Sequence, residues 1–223
     1  MKKNILSLDS SNKSCSVALL IKKKIDYIFN KCKNNYEEKI FPMIKKIINR
    51  NKININNIKI VAYSNGPGSF SGIRISSSIA KSFFLNKKIK LFAISSLKII
   101  AENFWKKYKK RNLIVLIKNK KNNFFYGKYY RKKNGIWIGK NTEKIVTLKK
   151  LIKKIIKIKN INISGKFEKL EIKKALKEIK FKKKIFFFKI KFPNAKYIIY
   201  IVQKILKNKI IRNDSSSFPK YLT

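Results

Sequence analysis

The order of apolar patterns along the chain constrains its fold most strongly, because one succession of strands and helices occurs twice. In the first half, strand-like runs lie at residues 5–8, 17–21, 25–29, 58–63 and 90–94, and helical periodicity lies at 40–48, 70–85 and 96–108. In the second half, strand-like runs lie near 113–117, 124–130, 136–138 and 161–164, and helical patterns near 148–156, 170–179 and 195–206. Three strands followed by alternating helices and strands, given twice, predict an α/β protein with two lobes.

The charged stretch at residues 109–112 separates the two cycles. We place the lobe boundary there, which gives an N-terminal lobe of residues 1–110 and a C-terminal lobe of residues 111–223. A chain of 223 residues with 44% apolar side chains can build a real core. No low-complexity linker interrupts the sequence, so we expect the lobes to pack directly against each other.

Local signals add detail to the first lobe. The polar stretch at residues 9–14 predicts a tight turn between the first two strands. Asn34 and Asn35 are candidate N-caps of the first helix. Pro42 should lie in the first turn of that helix or kink it.

The charge admits two interpretations. The chain has 57 Lys and Arg against 10 Asp and Glu, a net charge of +47. The lysines are spread over the whole chain together with many Asn and Ile, which favours compositional drift over a dedicated nucleic-acid surface. The charge still favours weak contact with RNA at low salt.

Missing residue types exclude several kinds of site. The chain has no His, which removes the commonest general base, and its two cysteines cannot form a four-ligand zinc site. Two cysteines in a chain of this length are expected to be free thiols in a reducing cytosol. No apolar run approaches 18 residues, so we expect a soluble, cytoplasmic protein without membrane contact.

A glycine-rich elbow, SNGPGSFSGIRISSS at residues 64–78, follows a strand pattern and opens a helix pattern. Either Ser69 or Ser71 would cap that helix. The elbow lacks the Gly-Lys-Ser/Thr of a Walker A loop and the third glycine of GxGxxG. Two interpretations stay open, a tight strand-to-helix connection and a cradle for phosphate. The candidate residues of a phosphate or nucleotide loop are Asp9, Ser10, Ser11, Gly66, Gly68, Ser69, Gly72 and Arg74.

Several of these stretches resemble the bacterial TsaB (YeaZ) family. The matching segments are NILSLDSS with CSVAL at residues 4–19, FPM at 41–43, AYSNGPGSFSGIR at 62–74, NGIW at 134–137 and PKYL at 219–222. The segment GPGSF followed by a small polar residue and GIR is the most specific of them. The resemblance is strongest before residue 100 and thin between 140 and 215.

The resemblance implies an actin-like or Hsp70-like ATPase (ribonuclease H-like) fold with two βββαβαβα lobes. It implies a cytoplasmic, non-catalytic subunit that joins the larger paralogue TsaD and the ATPase TsaE, with a homodimer as the alternative form without TsaD. The complex transfers threonylcarbamoyl from threonylcarbamoyl-AMP to N6 of adenosine 37 in tRNAs that read ANN codons. The subunit alone would hold no cofactor, and ATP or ADP with Mg²⁺ would bind only in the complex.

The carboxylates agree with a non-catalytic role. Active ATPases of this fold use acids from both lobes to hold Mg²⁺. Asp9 stands in the first lobe, where a turn-shaping hydrogen bond to Ser10 or Ser11 is the alternative to metal binding. In the second lobe Lys118 and Asn119 occupy the expected position of an acid. An active ATP-dependent enzyme and a basic RNA-binding protein remain the alternative functions.

A partner subunit needs a docking surface, and in the resembling family two helices of the first lobe supply it. Their apolar stripes give the candidate interface residues Ile40, Met43, Ile44, Ile47, Ile75, Ser78, Ile79 and Phe83. The alternative is that these stripes face their own sheet. We further expect the elbow to fix the start of the second interface helix against the sheet.

Overall fold

The first half of the chain forms a five-stranded sheet with its helices. The computed structural model describes residues 3–32, 35–84, 89–119, 123–158 and 161–210. The elements are β1 (Asn4–Asn12), β2 (Ser14–Ile21), β3 (Lys24–Lys31), α1 (Tyr36–Arg50), β4 (Ile58–Ser64), α2 (Phe70–Phe84), β5 (Lys90–Ile94) and α3 (Ser96–Tyr108). The strand order is β3-β2-β1-β4-β5, with antiparallel pairing among β1 to β3 and parallel pairing of β1, β4 and β5.

The second half repeats this arrangement. Its elements are β6 (Asn112–Lys118), β7 (Asn123–Arg131), β8 (Trp137–Ile138), β9 (Lys144–Thr147), α4 (Leu148–Ile155), β10 (Ile161–Lys166), α5 (Lys169–Glu178), β11 (Ile185–Phe188) and α6 (Ala195–Lys207). The strand order is β11-β10-β6-β7-β8, and the short extra strand β9 pairs with β7. The predicted α/β class with a repeated βββαβαβα order is confirmed.

Alternating side chains give the first sheet two buried faces. One face, which includes Leu6 and Leu8, packs against α1 and α2. The other face, which includes Ile5, packs against α6. Cys15 and Cys32 are free thiols, as expected, and the structure buries both in the first of these cores.

The last helix of each half packs on the sheet of the other half. Helix α3 places Leu97 and Phe104 against Leu113 and Val115 of the second sheet, whereas α6 covers the first sheet. The division at residue 110 falls between the sheets and stays a prediction, because both helices pack across it. Each helix of the described segments is too short or too polar to cross a bilayer.

Some local predictions differ from the structure. The predicted turn at residues 9–14 is wrong, because β1 continues to Asn12 and only Lys13 separates it from β2. Asn35 precedes α1 as its N-cap without a side-chain cap bond, and Pro42 is the seventh residue of α1, beyond the first turn. Strands β9 and β11 were not predicted. Asn34, Leu85 and residues 219–222 lie outside the described segments.

Candidate functional site

The elbow between β4 and α2 packs directly on the end of β1. A Cβ atom built on Gly68 would lie 1.8 Å from the carbonyl oxygen of Ser11, and one built on Gly72 would lie 1.8 Å from the carbonyl oxygen of Ser10. No side chain tolerates such a distance to a backbone atom. The two glycines are therefore required by the close approach of another backbone, that of β1.

Hydrogen bonds complete this contact. The N–H of Ser69 donates to the carbonyl oxygen of Ser11 at 2.7 Å. The buried hydroxyl of Ser10 lies 2.6 Å from the carbonyl oxygen of Gly72 and 2.5 Å from the hydroxyl of Ser76. The polar groups of the elbow and of β1 form hydrogen bonds with each other. The geometry therefore favours a tight strand-to-helix connection over a cradle for phosphate.

The other two candidate residues of the elbow, Gly66 and Arg74, precede and follow this contact in the chain. Gly66 has a φ of +94° and precedes a cis peptide bond to Pro67, and its carbonyl oxygen accepts a hydrogen bond from the N–H of Ser96 at 2.7 Å. Arg74 is exposed, and its guanidinium lies 4.6 Å over the ring of Phe70. The structure thus brings Ser10, Ser11 and the elbow backbone together and leaves Arg74 on the outer surface.

Asp9 is fully buried beside this cluster. Its Oδ1 accepts hydrogen bonds from the N–H of Ser11 at 3.3 Å and from the hydroxyl of Ser11 at 2.6 Å. Burial raises the pKa of the Asp9 carboxyl, and the bonds from Ser11 oppose this only in part. The contact to the Ser11 backbone is the one expected for a structural role.

Lys118, at the position where the sequence led us to expect an acid in an active ATPase, forms an ion pair. Lys118 ends β6, and its Nζ lies 2.6 Å from Glu171 Oε2 on α5. Asp9 Oδ1 is bonded by Ser11 and Glu171 Oε2 is paired with Lys118, so neither carboxylate is free to serve Mg²⁺ with both of its oxygens. These residues therefore give no support to a metal-dependent reaction step in this chain.

The helix stripes proposed for docking turn mostly inward. Five of the eight residues are buried in the core between α1, α2 and the first sheet, namely Ile40, Met43, Ile44, Ile47 and Ile79. Ile75 and Phe83 pack partly against the same core, and Ser78 is exposed. The alternative that the stripes face their own sheet thus holds for the five buried residues, because helical spacing alone defines a stripe without its direction.

The outer surface of these helices is formed by other residues. Phe41 on α1 and Phe70 on α2 are 56% and 55% exposed. Ser71, Arg74 and Ser78 are also exposed on α2. Exposed aromatic rings and small side chains on these two helices are suited to packing against another protein.

A buried polar cluster went unnoticed in the sequence. The indole N–H of Trp137 donates to Glu102 Oε2 at 2.7 Å, and Nε of Arg131 lies 3.5 Å from the same oxygen. Burial raises the pKa of the Glu102 carboxyl, although both contacts lower it. Glu102 lies 29 residues before Arg131 and 35 before Trp137, so no local pattern could have revealed the cluster.

Solved structures with the same fold place the chain in a class. An uncharacterised Pseudomonas aeruginosa protein with similarity to peptidase YEAZ matches with a TM-score of 0.83 over 100% of both chains, at 16% identity. YeaZ from Pseudomonas aeruginosa matches with a TM-score of 0.79 over 99% of this chain and 100% of that chain, at 15% identity. The chain thus belongs to the α/β proteins with the YeaZ fold, with a five-stranded and a six-stranded sheet.

Sequence comparison then identifies the family. The TsaD profile, described as tRNA N6-adenosine threonylcarbamoyltransferase, matches residues 30–222. The tRNA threonylcarbamoyladenosine biosynthesis protein TsaB of Buchnera aphidicola from Schizaphis graminum is 40% identical over 87% of this chain and 90% of its own length. TsaB of Escherichia coli is 30% identical over 64% of this chain and 62% of its own length. The chain belongs to the TsaB family.

Proposed function

We propose that the chain acts in the cytoplasm as a non-catalytic partner subunit of the tRNA threonylcarbamoyladenosine (t6A) machinery. In this role it binds a TsaD paralogue, which with the ATPase TsaE transfers threonylcarbamoyl from threonylcarbamoyl-AMP to N6 of adenosine 37 in tRNAs reading ANN codons. Without the paralogue, the same surface would hold a second copy of the chain. Family membership supports the pathway, and the architecture supports the division of labour.

The ion pair of Lys118 with Glu171 carries the non-catalytic part of this proposal. Lys118 stands where the resemblance leads us to expect an acid in an active ATPase of this fold, and its Nζ lies 2.6 Å from Glu171 Oε2. On the first-lobe side, Asp9 Oδ1 is engaged by Ser11 and burial disfavours the charge of the carboxyl. Neither group is arranged to orient Mg²⁺ on a nucleotide phosphate.

The outer surface of α1 and α2 supports the partner role. Phe41 and Phe70 are exposed, while the elbow anchors the first turn of α2 to β1 through Gly68 and Ser69. A rigid helix pair that presents exposed aromatic rings suits packing against two helices of a paralogue. If any nucleotide binds, the complex rather than this subunit supplies its site.

Size-exclusion chromatography with the TsaD paralogue from the same source tests the proposal. At about 0.5 M salt, where charge-driven association is screened, we expect a stoichiometric complex. Phe41→Arg and Ser78→Arg should each abolish it, because each places a charged side chain on the docking surface. Ile79→Arg is unsuitable, because Ile79 is 6% exposed and belongs to the core.

Leu170→Arg is the matched control, since Leu170 is 70% exposed on α5 and the change adds the same charge. It should leave the complex intact. Separate elution of the unsubstituted proteins would contradict the partner role. ATP turnover by the isolated chain would instead favour the active-enzyme alternative.

A further inference from the structure

Cations from three elements meet around one tryptophan at the end of α3. We name this group, Trp105, Lys106, Lys109, Arg131, Tyr200 and Lys204, the Trp105 cluster. Trp105, Lys106 and Lys109 lie at the end of α3, Arg131 ends β7, and Tyr200 and Lys204 lie on α6. The cluster therefore joins segments from both halves of the chain.

The cations lie in fixed positions over aromatic rings. The guanidinium of Arg131 lies 3.6 Å from the ring centre of Trp105, and the Nζ of Lys109 lies 4.6 Å from it. The Nζ of Lys106 lies 3.7 Å from the ring centre of Tyr200. Cation–π contacts hold these charges in place and reduce the entropy lost when they bind an anion.

The remaining cation lies close to the others. A Cβ atom built on Gly135 would lie 3.1 Å from Nη2 of Arg131 and 3.1 Å from both Cδ and Cε of Lys204. Gly135 thus leaves room for both side chains at one spot in the turn after β7. The approach of Lys204 to Arg131 concentrates positive charge there.

The cluster has more positive than negative charge. Glu102 is the acid that contacts it among the described residues, and Glu102 already binds Arg131 and Trp137. Arg131 is only 5% exposed, and its Nη2 atom has no hydrogen-bond partner within the described segments. Partial burial lowers the pKa of Lys106, Glu102 opposes this shift, and the nearby Lys109, Arg131 and Lys204 add to it. An incoming anion would relieve this repulsion.

We infer that the Trp105 cluster and its exposed lysines form a surface that binds phosphates of a folded RNA. Arginine and lysine with neighbouring aromatic rings are typical of surfaces that follow an RNA backbone. Near the end of α3, Lys107 also lies over Tyr108 and Lys110 over Phe186. Other lysines also lie over single rings, such as Lys166 over Phe192. The Trp105 cluster differs from them because cations from three elements meet at one place.

The identity of the RNA as tRNA rests on the proposed function, whereas the phosphate-binding surface rests on its own geometry. The surface lies on α3, α6 and the end of β7, and the docking surface proposed above lies on α1 and α2. One molecule could therefore hold a protein partner and an RNA at the same time.

Two variants with equal loss of charge test the inference. The cluster variant changes Lys106, Lys109 and Lys204 to Gln. The control variant changes Lys149, Lys150 and Lys153 to Gln, three exposed lysines of α4. Both lower the net charge by three, so a dependence on overall charge affects them equally.

Binding of an ANN-decoding tRNA transcript by the full chain is measured by fluorescence anisotropy from about 0.1 to 0.4 M salt. At about 0.15 M salt we expect the cluster variant to lose about tenfold or more in affinity and the control to lose less than about threefold. The slope of log affinity against log salt should fall by about two in the cluster variant, because each lost phosphate contact removes roughly 0.7 to 0.9.

Equal losses in the two variants would overturn the inference and assign binding to overall charge. The inference would also be overturned if the cluster variant lost binding to phosphatidylserine-containing vesicles but kept its affinity for tRNA. That result would indicate a lipid-binding surface. The cluster variant should still co-elute with the TsaD paralogue. If the cluster variant binds tRNA as tightly as the unsubstituted chain, the RNA inference fails and the proposed partner role is unaffected. If the unsubstituted chain forms no complex with the TsaD paralogue, the partner role fails and the RNA inference is unaffected.

Discussion

At the scale of single residues, the elbow depends on two positions where a side chain cannot fit. Gly68→Ala places a methyl group at 1.8 Å from the Ser11 carbonyl oxygen, so α2 must shift away from β1. We expect the free energy of unfolding to fall by about 3 kcal/mol, as in overpacked cores. Urea unfolding measures it, with Ser71→Ala, an exposed position in the same turn, as the control. An equal effect of both changes would contradict the close backbone contact. Loss of nucleotide binding with an unchanged complex would contradict the link from the elbow to partner docking.

Asp9 gives a second prediction at this scale, because burial raises its pKa above the ordinary 3.8. As pH rises through that value, the unfolded chain releases this proton first and the native state retains it. The contribution of Asp9 to the free energy of unfolding therefore decreases between pH 3.8 and the raised pKa. Asp9→Asn removes this pH-dependent contribution. The free energy of unfolding of the variant, relative to that of the unsubstituted protein, should therefore increase from pH 4 to pH 7. Urea unfolding at several pH values measures the difference, which would stay constant with pH if Asp9 were ionised normally in the native state. The exposed Glu37→Gln serves as the control.

At the scale of elements, α6 holds the two halves together, and its start is anchored by two serines. The hydroxyl of Ser7 donates to the carbonyl oxygen of Ala195 at 2.9 Å, and the N–H of Ala195 donates to Ser16 Oγ at 2.9 Å. Ile198 on α6 is fully buried, whereas Leu206 is 36% exposed. We expect Ile198→Ala to lower the free energy of unfolding by about 2 to 5 kcal/mol and Leu206→Ala by less than about 1 kcal/mol. Equal costs in urea unfolding would show that α6 does not pack on the first sheet.

The sequence predicted elements with strong periodicity better than it predicted their surroundings. The six helices were predicted because their apolar residues recur at helical spacing. The end of β1 was missed, since Ser10 and Ser11 resemble turn residues and only the folded chain supplies partners for their buried polar groups. The direction of the two apolar stripes could not be predicted for a related reason, because the spacing of Ile40 and Ile79 cannot tell a core from a docking surface. The Trp105 cluster required tertiary contacts that no local pattern contains.

At the scale of the whole molecule, the net charge of +47 should oppose folding. Three ion pairs occur within the described segments, namely Arg50–Asp26, Lys118–Glu171 and Arg131–Glu102, so salt should screen far more repulsion than attraction. Raising NaCl from about 0.02 to 0.5 M shortens the screening length severalfold. We expect the melting temperature to rise by about 5 °C, which corresponds to roughly 2 kcal/mol for a chain of this size. Calorimetry measures the shift, and sucrose at equal osmolality controls for solvent exclusion. A constant melting temperature would mean that the lysines are too far apart to repel, and a falling one that attraction outweighs repulsion. Either result would weaken the argument that the Trp105 cluster needs an anion.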